Sequence, residues 1–107
     1  MPTENQIEYI KINKDHIKEP IAIIGSREYD FDQRNFIKEL NIMGFSNIIG
    51  IDIKKGKGVD VVTDICDFSS SFVKNHNRYF CTIICMQMLY SVVNPFNAAK
   101  SIQSLMS

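Results

Sequence analysis

Four short runs of apolar, largely β-branched residues recur along the chain: Ile21 to Ile24, Ile48 to Ile53, Val59 to Thr63 and Tyr79 to Cys85. Continuous apolar runs of this length predict strands covered on both faces, especially when proline or glycine bounds them. Pro20 stands at the head of the first, where a strand tolerates proline. Between the runs the period changes to that of a helix. Phe36, Ile37, Leu40 and Met43 fall on one face of a helix predicted from Asp30 to Met43. Asp30 with Gln33 matches a capping box, and Gly44-Phe45 a left-handed stop with its hydrophobic contact. A short helix follows the third run, with Ser69 as its cap and Phe68 placed to pack on Val73. Asn94-Pro95 opens a last helix, whose inward stripe reads Phe96, Ala99, Ile102 and Met106. In residues 1–19 a small apolar patch (Ile7, Tyr9, Ile10, Ile12) fits either a short helix or a loose strand.

This alternation predicts an α/β fold. Parallel strands joined by right-handed crossovers give a Rossmann-like three-layer sandwich around a sheet of about four strands in the order 3-2-1-4. The 107 residues allow one domain, with 1–19 as an N-terminal extension and 20–107 as the ligand-binding part. With 45% hydrophobic residues the chain can build a core. Ligands of such sheets bind beyond the carboxyl ends of the strands, where strand order reverses, which here is the first strand.

Charge and cysteine content narrow the classes. Twelve basic and twelve acidic residues leave no net charge, which argues against a general binder of nucleic acid or anionic membranes. Lys54, Lys55 and Lys57 form the one tight basic cluster and read as a solvated loop. Three cysteines, Cys66, Cys81 and Cys85, with no stretch of signal-peptide type, point to reduced thiols in the cytoplasm. His16 and His76 sit at no metal-ligand spacing, so no metal site is expected. The apolar run around Tyr79 to Val93, broken by Gln87 and Ser91, is too short and mixed to span a membrane.

The candidate chemistry lies at the strand ends. Gly25-Ser26-Arg27 follows the first strand, where a glycine lets backbone approach a ligand closely. The dinucleotide fingerprint G-x-G-x-x-G is absent, because Arg27 holds the second glycine's place, and this argues against a nicotinamide cofactor. Asp52 ends the second strand, where a carboxylate can accept both hydrogen bonds of a ribose diol. Asp64 ends the third, in Val61-Val62-Thr63-Asp64-Ile65, where it can accept from an adenine amino group or simply cap a turn.

Taken in order, IAIIGSREYD, IIGIDIKKGKGVDVVTDICDF and YFCTIICMQMLYSVVNPFNAAKSI resemble class I S-adenosylmethionine-dependent methyltransferases. The resemblance is to the small-molecule branch whose first motif reads "IGSR", and it covers roughly residues 20–107. It implies that Gly25, Ser26 and Arg27 lie against the methionine part of S-adenosylmethionine. By the same likeness Asp52 and Ile53 hold the ribose, Asp64 and Ile65 frame the adenine, and Cys85, Met86 and Gln87 line the site after the fourth strand. No catalytic side chain is implied, since methyl transfer is chiefly positioning of an electrophilic methyl against a nucleophile that the acceptor brings.

The chain departs from the family pattern at several positions. Ile23 stands where the family has an acid two residues before its glycine, Cys81 where it has an aspartate, and Tyr90-Ser91 where it often has Glu-His. The family sheet has seven strands, whereas this chain ends after the helix that follows the fourth. The outer edge of the fourth strand is therefore expected to be open, inviting a homo-oligomer, edge-to-edge assembly or a missing C-terminal segment. Two functions follow as expectations: a methyltransferase with an unidentified small-molecule acceptor, or an inactive methyltransferase-like module used for binding or assembly.

Overall fold

A computed structural model describes residues 4–26, 36–67, 70–85 and 95–107. Helix α1 (Glu4–Ile12) and a single 3-10 turn (Lys14–His16) lead into strand β1 (Ile21–Ile24). Helix α2 (Phe36–Ile42), strands β2 (Ile48–Asp52) and β3 (Val61–Val62), helix α3 (Ser71–Asn75), strand β4 (Thr82–Cys85) and helix α4 (Pro95–Leu105) follow. The four strands form one sheet, all parallel, in the order β3-β2-β1-β4. This is the Rossmann-like α/β arrangement that the alternation of runs predicts.

Strand β1 is central because all four of its residues are apolar and buried. The pleat divides them between two layers. Ile21 and Ile23, with Ile84, pack under Ile10 of α1 and Leu40 of α2. Ala22 and Ile24, with Ile51, pack under Phe72 and Val73 of α3 and Ala98 and Leu105 of α4. Each fully buried isoleucine contributes about 1.5–3 kcal/mol of transfer free energy. The sheet is thus held from both sides without a polar face.

Local details differ from the sequence reading, each for a physical reason. The N-terminal patch is a helix: Ile7 and Ile10 are buried while Tyr9 and Ile12 remain exposed. The cap of α3 is Ser70, whose Oγ accepts from the Val73 N–H at 3.3 Å. Asp30, Gln33, Phe68, Ser69 and Asn94 lie outside the described residues. Strand β3 is two residues long, and the crossover before it turns at Lys57-Gly58, where the Val59 N–H donates to Gly56 O at 3.2 Å. The inward stripe of α4 is Ala98, Ser101 and Leu105 with Ile102 at its flank, not Phe96, Ala99 and Met106. Phe96 is 83% exposed. Small residues let the helix backbone approach the sheet, so packing selected the small face over the bulky one.

That choice leaves a polar atom inside. Ser101 is fully buried, and its Oγ has no hydrogen-bond partner among the described residues. A buried hydroxyl without a partner keeps its desolvation penalty. Ser101→Ala is therefore expected to stabilise the domain by about 1 kcal/mol. Urea denaturation checks this, and a lower midpoint for the variant would show that the hydroxyl has a partner.

The amino-terminal end of the sheet is clamped by one carboxylate. Glu19 Oε1 accepts the N–H groups of Ser46 at 2.6 Å and Asn47 at 2.9 Å, tying the entry of β1 to the entry of β2. The Asn47 bond, then the Ser46 bond, holds this carboxyl below the usual glutamate range. A lowered folded-state value means the stabilisation is present above the unfolded value and is lost as pH falls through the folded one. Glu19→Gln is expected to flatten the acid limb of the stability–pH curve while leaving its shape at neutral pH unchanged. Identical acid limbs in urea titrations of the two proteins would refute the clamp.

The edge beyond β4 is partly occupied. The Phe80 N–H donates to Leu105 O at 2.9 Å and the Ser107 N–H to Phe80 O at 2.8 Å, so Met106 runs parallel beside Phe80. The edge expected to be open is covered at its start by the chain's own last residues. Among the described residues no helix is long and apolar enough to cross a membrane.

Candidate functional site

The carboxyl ends of the strands meet because the register is flush. Ile24 lies between Ile51 of β2 and Cys85 of β4. The next residue, Gly25, has φ of 77°, a conformation that glycine adopts without a Cβ penalty. This turn lets the N–H groups of Gly25 and Ser26 both donate to Ile51 O, at 2.8 and 3.1 Å. The chain is thereby folded over the end of β2, next to Asp52.

Asp52 is half-buried, and its Oδ1 accepts the Lys54 N–H at 3.3 Å. Its carbonyl accepts the Thr63 N–H at 2.9 Å, which brings the end of β3 alongside. Asp64 follows, exposed; its Oδ1 accepts the Cys66 N–H at 2.9 Å and its carbonyl the Asp67 N–H at 2.9 Å. The aspartate therefore caps its own turn, as one reading of the sequence allows. Two carboxylates thus follow the neighbouring strands β2 and β3, and the first of them, Asp52, lies next to the glycine turn.

The remaining predicted residues divide. Ile65 is buried in the core with Ile24, Ile51 and Phe72, so its side chain faces inward. Ile53 is 61% exposed on the far side of Asp52. Cys85 is half-buried against the same core, and burial pushes its thiol above the usual cysteine range. Such a shift disfavours the thiolate, the reactive form of cysteine. Arg27, Met86 and Gln87 lie outside the described residues.

One feature escaped the sequence reading. Gly50 is buried in β2, on the layer of Ile48, and a Cβ there would collide with the carbonyl of Gly58 and lie 2.7 Å from Ser26 Oγ. Asp60 fixes this approach: its N–H donates to Gly50 O at 2.8 Å and its Oδ2 accepts the Gly50 N–H at 2.8 Å. A glycine inside an otherwise β-branched strand was the available signal, because it marks close backbone approach. Ser26 Oγ lies buried at this junction with no partner among the described residues.

The fold and these strand ends define a Rossmann-like α/β domain with a glycine turn after its central strand and a carboxylate, Asp52, at the end of the neighbouring strand. No protein-family model, curated protein or solved structure matches the chain.

Proposed function

We propose that the chain binds S-adenosylmethionine at the carboxyl ends of its strands, as the cofactor-binding part of a methyltransferase acting on a small molecule. The observation that carries this reading is the docking of the Gly25–Ser26 turn on the end of β2: both N–H groups donate to Ile51 O, the carbonyl that immediately precedes Asp52. The residues present suit the cofactor. The Gly25–Ser26 backbone would run along its methionine part. Asp52 would accept from the ribose diol, Asp64 would face the adenine amino group, and the neutral Cys85 would give an apolar wall. When bound, the cofactor supplies an electrophilic methyl group; the chain's own residues bind it and fix its orientation. The three free cysteines suit a reducing cytoplasm.

A non-catalytic binding or assembly module is the second reading. The place of β4 at the end of the sheet favours it, because an edge strand can pair with another chain beyond the stretch that Met106 covers.

Calorimetric titration with S-adenosylmethionine and S-adenosylhomocysteine tests the cofactor reading. Asp52→Ala is expected to weaken binding at least about tenfold, as loss of hydrogen bonds to a charged acceptor does. No heat and no thermal shift at about millimolar ligand would end the cofactor reading and leave the module. Tighter binding of NADH in a parallel titration would transfer the site to a nicotinamide cofactor.

A further inference from the structure

The crossover between β2 and β3 carries charge that the cofactor site does not use. Residues 53–60 join two parallel strands without a helix. The segment is nevertheless tied down. Asp60 and Gly50 exchange two hydrogen bonds, both 2.8 Å, and the Val59 N–H donates to Gly56 O at 3.2 Å. The Lys54 N–H donates to Asp52 Oδ1 at 3.3 Å. In its middle the Gly58 carbonyl packs on Gly50 beside Ser26. The loop therefore abuts the turn that follows β1, at the ligand-binding end of the sheet.

Its outer part presents Lys54, Lys55 and Lys57, all exposed. None of the three forms an ion pair among the described residues, where the ion pair seen is Lys11 with Glu39 at 3.9 Å. The carboxylates at the two ends of the loop point to backbone: Asp52 accepts from the Lys54 N–H and Asp60 from the Gly50 N–H. Three exposed lysines within four positions, on a loop pinned at its base, outnumber the two aspartates at the loop's ends and leave its outer part cationic on a chain with no net charge. Lysine binds phosphate as a point charge, and at 0.1 M salt its field reaches only about 10 Å. Such a spot selects a ligand already at the crevice rather than steering polyanions from afar.

We propose that Lys54, Lys55 and Lys57 form an anion-binding platform beside the Gly25–Ser26 turn, and that it takes a small ligand bearing a phosphate group. Naming that ligand the methyl acceptor rests on the methyltransferase reading; anion binding at the loop does not. A short span and zero net charge favour a small phosphoester over a nucleic-acid strand.

The test is an amide-shift titration of the full chain with inorganic pyrophosphate at low salt. Saturable shifts are expected in residues 53–60 and in Gly25 and Ser26. The triple variant Lys54→Gln, Lys55→Gln, Lys57→Gln is expected to bind about tenfold or more weakly. A control triple at exposed lysines elsewhere, Lys14→Gln, Lys18→Gln, Lys74→Gln, is expected to bind like the parent. Equal affinity of parent and loop variant, or shifts scattered over distant lysines, would overturn the platform. So would tight loop-dependent binding of a single-stranded oligonucleotide with none of pyrophosphate. Binding of pyrophosphate at the loop without any binding of S-adenosylmethionine would support the platform and remove only the acceptor assignment.

Discussion

Gly50→Ala is expected to destabilise the domain by about 2–3 kcal/mol, the range for forcing atoms into a packed site. The backbone of Gly50 is ordinary strand and needs no glycine for its own conformation. The effect is purely steric: the new Cβ meets the Gly58 carbonyl and Ser26 Oγ at once. A flexible side chain could move aside, but the Gly58 carbonyl is backbone, held by the Asp60–Gly50 exchange. Either the loop lifts or β2 shifts away from β1. Both outcomes disturb the Gly25–Ser26 turn, so binding of S-adenosylmethionine and of pyrophosphate should weaken together. Gly44→Ala separates steric from conformational cost. Gly44 has φ of 101° with nothing within 4 Å of its would-be Cβ, so its replacement meets only backbone strain, about 1 kcal/mol. Urea denaturation of both variants decides the matter. If Gly50→Ala costs no more than Gly44→Ala, the loop does not rest on the strand as described.

Much of the fold is legible in the sequence because the strands carry a one-dimensional signal. Ile21 to Ile24 and Ile48 to Asp52 are apolar runs, and a run buried on both faces requires neighbours on both sides. Their order follows from the alternation with helices. The position of Asp52 at a strand end, adjacent to the Gly25 turn, follows from the same pattern. What could not be read depends on distances across the fold. Gly50 within a β-branched strand signals a close approach, but what approaches it, the loop from Gly58 to Asp60, is set by the fold. The phase of α4 is not legible from hydrophobicity, which ranks Phe96 and Met106 above Ala98 and Ser101, whereas close packing rewards small volume. The family resemblance places Ile65 beside the adenine, and its side chain packs in the core with Ile24, Ile51 and Phe72, a burial that depends on contacts across the fold. The lysines of the β2–β3 loop are visible as a cluster in the sequence, but the return of their loop to Gly50, which brings the Gly58 carbonyl beside Ser26, is not.

Phe80→Ala is expected to cost about 3–5 kcal/mol, the usual range for emptying a buried phenylalanine site. Small domains hold only about 5–15 kcal/mol in total, so this variant stands near the limit of folding. Phe80 is 0% exposed and joins three elements. Its ring meets Tyr79 edge-on at 4.9 Å, and the rings of His76 and Phe72 lie 6.0 and 6.3 Å away. It shares the core with Leu105 of α4, while its backbone bonds Leu105 and Ser107. Alanine would keep those backbone bonds but leave a cavity between α3 and α4. Phe80→Leu refills most of the volume and is expected to cost less than about 1.5 kcal/mol, losing chiefly the ring contacts. Phe80 precedes β4, at the opposite end of that strand from Cys85 and the crevice. Ligand affinity measured well below the melting temperature should therefore match the parent in Phe80→Leu. A loss of affinity in a stably folded Phe80→Leu would mean that α3 and α4 transmit strain through β4 to the Gly25 turn, and the site could no longer be treated as resting on a rigid sheet.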